Sequence, residues 1–152
     1  MATKIDKADL DAPPAGTPAG GADDLSIMAP DRSIMVGGEW ITVREYRYFE
    51  GAKVRDTAKE FFAALYELIG MGEQPPTFEA VEELIAKHAE LVKFMVSVAC
   101  DRDIAWAQNL GEAEGDEVVL TWWVVNAPFF IRRVLRKAAQ ERLSAGLASS
   151  TR

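Results

Sequence analysis

Side chains capable of chemistry are few in this chain, and their spacing is wrong for most reactions. There is one histidine, His88, and one cysteine, Cys100. Zinc sites are built from several Cys and His ligands, so a single residue of each rules out the usual sets. Cys100 ends the apolar stretch Val96-Ser97-Val98-Ala99-Cys100. It cannot close an internal disulfide and reads as a small buried hydrophobe in a reducing compartment. His88 falls between Ile85 and Leu91-Val92 on the apolar side of a helical pattern, the place of a half-buried structural histidine rather than a base. The acidic cluster Glu112-x-Glu114-x-Asp116-Glu117 has the carboxylate density of a calcium loop. It lacks the ligand alternation around a central glycine and the distal bidentate glutamate, so it reads as the acidic start of a helix. Gly37-Gly38 is followed by no Gly-Lys-Ser/Thr and no helix, which makes it a turn and not a phosphate loop. No two groups stand in a catalytic relation, and the expectation is a non-enzymatic protein without metal or cofactor.

The elements that carry these residues are mostly helical. Residues 1–25 are rich in Ala, Pro, Gly and Asp and are expected to form a disordered tail. Ser33-Ile34-Met35-Val36 and Glu39-Trp40-Ile41-Thr42-Val43 flank the two glycines as a β-hairpin; pairing Val36 with Glu39 puts Ile34, Ile41 and Val43 on one face. Val54, Ala58, Phe61, Phe62, Leu65, Leu68 and Ile69 form one continuous helical stripe, ended by Gly70 and Gly72. Thr77 suits an N-cap, and Phe78 to Ala99 forms either one long helix or two that meet near His88. Asp101 or Asp103 caps a short helix carrying Ile104 and Trp106, and a last helical region starts at the acidic cluster. The predicted fold is a mainly α bundle of four to five helices after an N-terminal hairpin. One domain spans 26–146, with a flexible end over 147–152.

Within the last region lies the one strongly apolar run, Val118 to Ile131, which holds Trp122, Trp123, Phe129 and Phe130 and turns basic at Arg132-Arg133. Its β-branched and aromatic residues also suit a strand, but the flanking segments are helical and helix is the better assignment. Pro128 predicts a kink or break around Val124 to Ala127. The run is too short and too interrupted to be expected to cross a bilayer, and with no basic segment followed by an apolar core near residue 1, a secretory signal is not expected. Adjacent helical positions point about 100° apart, so neither aromatic pair fits one narrow stripe. Either this is a central helix, apolar all round, or one face docks in the core and another meets a partner. The candidate partner-binding residues are Trp122, Trp123, Phe129, Phe130, Arg132, Arg133 and Arg136. Charge is divided along the chain: residues 1–126 hold 11 basic and 23 acidic residues, residues 127–152 hold 6 basic and one acidic, and the total is -7. That balance argues against a general nucleic-acid binder.

In the order of these parts the chain resembles phage tail assembly chaperones, the small proteins encoded near the tape-measure gene of long-tailed phages. The resemblance covers roughly residues 30 to 140. It rests on Gly37-Gly38-Glu39-Trp40-Ile41-Thr42-Val43-Arg44-Glu45, similar to that family's opening hairpin and following arginine, and on Asn126-Ala127-Pro128-Phe129-Phe130, similar to its late Asn-x-x-Phe-Phe element. It implies a non-enzymatic protein in the cytoplasm of an infected or lysogenic bacterium. Such a protein binds the tape-measure protein, keeps it soluble, and helps tail-tube subunits assemble around it, alone or as a homo-oligomer. Membrane and nucleic-acid partners are not implied. Two other classes fit the same features: a structural virion tail or connector subunit, and a small acidic regulatory or host-interacting phage protein.

Overall fold

The computed structural model describes residues 31–70 and 76–150. The predicted tail over 1–25 lies outside them. Strands β1 (Arg32–Val36) and β2 (Glu39–Val43) form an antiparallel hairpin in the predicted register, with Val36 opposite Glu39 and Ile34 opposite Ile41. Gly37 and Gly38 both have positive φ, 58° and 80°, as a two-residue hairpin turn with right-handed strand twist requires. Val36, Ile41 and Val43 point into the core, while Met35 and Trp40 lie on the outer face.

The stripe from Val54 to Ile69 forms two helical segments, α1 (Tyr48–Thr57) and α2 (Lys59–Gly70), rather than the single straight helix its periodicity predicts. They join at Ala58, where φ is -102° and ψ 32°. Ala58 N–H still reaches the Val54 carbonyl at 2.8 Å and Phe62 N–H reaches Ala58 at 3.1 Å, so the ladder passes through the bend. Ala58 is fully buried, and only a methyl group at the bend lets both segments stay on the core. The next pair, α3 (Phe78–Lys87) and α4 (Ala89–Ala99), settles the alternative left by periodicity: two segments meet at His88. Thr77 Oγ1 caps α3 by accepting Ala80 N–H at 3.3 Å.

At the end of α4 the sequence led to two capping candidates, and the structure uses both differently. Asp103 caps α5 (Ile104–Gln108) by accepting Trp106 N–H at 2.8 Å. Asp101 instead terminates α4 in the left-handed region, at φ 53°, with Arg102 N–H bonded to Ser97 O and Asp101 N–H to Val98 O. That is a Schellman ending with aspartate where glycine is usual, one of the few residue types that tolerate the conformation.

Helix α6 (Glu112–Ser150) has 39 residues and is about 58 Å long. The predicted break near Pro128 does not occur. Pro128 and Val124 both lie on the exposed side, where water can serve the Val124 carbonyl that loses its donor. The helix runs on to Ser150, with every residue from 139 to 150 exposed. The middle of α6 is the centre of the molecule, with α2 and α4 against it and the hairpin on another side. By length and composition α6 is long and apolar enough to cross a membrane, contrary to the expectation from the apolar run alone. Several of the residues that make it apolar are those that fill the core: Val118, Trp122, Val125, Phe130 and Val134. Two hairpin strands, six helical segments and the two bends give the described residues the mainly α architecture expected, four helical arms beside one hairpin.

Candidate functional site

The turn from β2 into α1 is held by three side chains. Arg44 donates from Nε and Nη2 to the two carboxylate oxygens of Asp101, both at 2.7 Å, and from Nη1 and Nη2 to Glu50 at 3.4 and 3.3 Å. The Asp101 bond and both carboxylates hold the guanidinium charge well above its ordinary stability, against the opposing effect of burial. Asn126, fully buried, faces the same turn from α6. Its Oδ1 accepts Tyr46 N–H at 3.1 Å and its Nδ2 donates to Arg44 O at 3.1 Å and Trp122 O at 3.3 Å. The amide thus pairs with the backbone on both sides of Glu45, as a neighbouring strand would. The Tyr46 hydroxyl donates to Met95 O at 2.6 Å and accepts from Trp122 Nε1 at 2.8 Å.

Glu50 feels opposing influences. Burial raises its pKa, while the N–H of Arg47 and the guanidinium of Arg44 lower it, and the net result lies below 4.5. A carboxylate lowered by folding stabilises the native state above its unfolded pKa, and the contribution fades as pH falls through the lower folded value. Thermal unfolding at pH 7 and at pH 3 should therefore show a smaller acid-induced loss of Tm in Glu50→Gln than in the unmodified chain. An equal loss in both would mean that Glu50 adds nothing to acid sensitivity.

With the turn fixed, the aromatic run takes its place. Trp122 and Phe130 are fully buried and Trp123 nearly so. Trp122 meets Phe61 at 6.3 Å and Phe130 at 5.4 Å, whereas Trp123 stacks on Phe130 one heptad on, at 5.7 Å and 9°. The two tryptophans point apart, as helical geometry demands, and the fold supplies cover for both. Of the candidate partner-binding residues, then, Trp122, Trp123 and Phe130 sit in the core. Phe129 is half-buried, between Tyr46 at 5.3 Å and Phe62 at 6.1 Å. Arg132, Arg133 and Arg136 remain accessible to solvent.

These arginines line a groove between the α1–α2 arm and α6. Its larger part, about 550 Å³, is bordered by Arg55, Lys59, Arg133, Arg136 and Lys137 over a floor that includes Phe62 and Val134. A smaller extension of about 260 Å³ shares Arg55, Arg133 and Arg136 with it and runs past Phe129 to Glu45 and Arg47. Lys59 is paired with Asp56 at 2.9 Å and Arg132 with Glu45 at 3.3 Å. Arg55, Arg133 and Arg136 form no ion pair with a described carboxylate. Burial lowers the pKa of Arg55, and the neighbouring Arg133 charge lowers it further, the mark of like charges held together. Arg55 lies over the Phe129 ring at 5.8 Å and Lys137 over the Tyr66 ring at 4.7 Å. Tyr48 and Phe49, at the mouth of α1, are 74% and 82% exposed. In a chain of net charge -7 this is a concentrated cationic surface with aromatic edges.

Sequence reasoning located the α6 side of this groove and missed the α1–α2 side. The signal was present: Arg55, Lys59, Phe62 and Tyr66 recur at i, i+4, i+7 and i+11, a second face on a helix already assigned to the core. Cys100 is buried, which pushes its thiol up to about 12. His88 packs edge-on against Phe61 at 6.1 Å. Glu114 turns back to Gly111 N–H at 3.4 Å, so the acidic cluster opens α6.

Comparison with curated proteins and with solved structures returns no match. A match that runs from before β1 to the end of the chain, and so takes in the hairpin, Asn126 and both sides of the groove, is to a family of unknown function, DUF6631, over residues 24–152, and the chain belongs to that family.

Proposed function

We propose that the protein is a non-enzymatic tail assembly chaperone that acts in the bacterial cytoplasm and holds a tape-measure protein in the groove between α2 and α6. The carrying observation is the groove: three arginines that pair with no carboxylate among the described residues, beside aromatic surface, on an otherwise acidic molecule. An amphipathic helical client would lay apolar side chains on Phe62, Phe129 and the exposed Tyr48 and Phe49, and set its carboxylates against Arg55, Arg133 and Arg136. Support also comes from the two motifs behind the resemblance, which lie some eighty residues apart in sequence and touch in space. Asn126 clasps the backbone beside Arg44, and Phe129 and Phe130 pack on Tyr46. The reading involves no cofactor, membrane or nucleic acid; tail-tube subunits are further partners.

Co-expression with the tape-measure protein tests it. The unmodified chain should raise the client's solubility and co-purify with it. Arg133→Glu with Arg136→Glu should lower co-purification at least about tenfold while leaving thermal unfolding nearly unchanged, since both side chains are at the surface. Equal capture by both chains would rule out the groove. Stoichiometric presence in purified mature particles would instead favour a structural virion subunit.

A further inference from the structure

The described chain begins beside this groove. Asp31 Oδ1 accepts Glu45 N–H at 3.2 Å, and the Glu45 carboxylate pairs with Arg132 at 3.3 Å, both residues lining the smaller end of the groove. The segment before it, residues 1–30, contains five aspartates and two lysines. Its last part reads Asp23-Asp24-Leu25-Ser26-Ile27-Met28: two acidic residues, then three large apolar ones within four positions. The groove offers the complement, guanidiniums that pair with no described carboxylate, next to the exposed ring of Tyr48. Distance is no obstacle. Asp24 lies seven positions before Asp31, a reach of up to about 25 Å, while the groove from Phe129 to Gln140 spans about 16 Å along α6.

We infer that the acidic segment around Asp23-Asp24 occupies the cationic groove of its own chain when no partner is bound, and must leave before an acidic client can enter. The inference rests on the groove being the client site. Tethering gives the segment an effective concentration in the millimolar range, so weak contacts suffice to keep the groove covered. The charge is then balanced within one chain. A client must compete with a covered site, and its apparent affinity falls in proportion to the fraction of molecules that are open. The tether thereby screens out weak, merely acidic ligands in favour of one that also supplies a long apolar stripe.

A nitroxide on Ala22→Cys reads the docking directly. Cys100, buried and with its thiol held up to about 12, should stay unlabelled. At low salt the label should broaden the amide resonances of Arg55, Arg133 and Arg136. The broadening should vanish at about 0.5 M salt, where screening acts over only a few ångströms, and in Arg133→Glu with Arg136→Glu. No broadening at low salt would overturn the inference. So would broadening that appears only in unlabelled chains mixed with spin-labelled ones, because the occupant would then be a second copy. Binding of poly-glutamate to the full chain separates docking from client binding. Asp23→Asn with Asp24→Asn should raise its affinity about three- to tenfold. If poly-glutamate binds through Arg133 and Arg136 but the label shows no contact, the inference falls and the site stands. If the label docks but poly-glutamate ignores Arg133 and Arg136, the groove is not an acidic-client site and the competition fails with it.

Discussion

Replacing Trp122 with alanine should cost the fold about 3–5 kcal/mol, a large share of the ~5–15 kcal/mol that holds a domain of this size together. Two losses combine. The indole is fully buried between Phe61, Trp123 and Phe130, and a cavity at the centre of α6 cannot collapse without moving several elements at once. Its Nε1 also donates to the Tyr46 hydroxyl at 2.8 Å, which ties α6 to the turn after the hairpin. Trp122→Phe separates the terms, since it fills much of the space and removes only the donor; its cost should be about 1–2 kcal/mol. Urea unfolding of the two variants measures both, and the alanine variant should also lose roughly 10 °C or more in Tm. A cost for Trp122→Ala below about 1 kcal/mol would contradict the central position of this side chain.

Asn126→Leu should destabilise by a comparable amount, about 2–5 kcal/mol, for a different reason. Leucine has the branched skeleton of asparagine but is bulkier, which crowds a fully buried site, and it cannot pair with the backbone. Tyr46 N–H and Arg44 O would then be left without partners beside a packed helix, and a buried backbone group without a partner costs about 1–3 kcal/mol. The amide at Tyr46 supplies a specific readout. In the native chain its hydrogen exchange should be slow, through the bond to Asn126 Oδ1; in the leucine variant it should accelerate more than amides elsewhere in the core. Uniform acceleration across the core would indicate general loosening instead of a lost clasp.

Local periodicity carried much of this fold into plain view. The hairpin register follows from the two glycines and the alternation of Ile34, Ile41 and Val43, and the caps at Thr77 and Asp103 follow from single residues at helix starts. Features set by distant packing were hidden. Alanine is the best helix former, so nothing at Ala58 announces a bend; the bend exists because Val54 and Phe61 both reach the same core. Pro128 predicts a break by local rules, and only the exposure of its side of α6 explains why the helix continues. One narrow stripe cannot hold both tryptophans, which left a central helix and a partner-binding face open as alternatives; Phe130 gives Trp123 a partner of its own inside the fold. The cationic groove was half legible, because Arg133 and Arg136 stood out in a basic run while Arg55 and Lys59 became their neighbours only once the α1–α2 arm packed beside α6. Asn126 was visible as part of a motif; that it completes a strand-like pairing with the hairpin exit was not.

One helix spans two regimes of stability. From Val118 to Ala138, α6 is pinned by side chains that cannot be released without dissolving the core, so these amides should open only with the whole molecule. From 139 to 150 every residue is exposed, and a free peptide of that length would hardly be helical in water. It is helical here because the buried part has already made the nucleus, which leaves only propagation from turn to turn. The projecting end can therefore fray and re-form rapidly without disturbing the fold, and a partner that grips it needs to extend a helix, not create one.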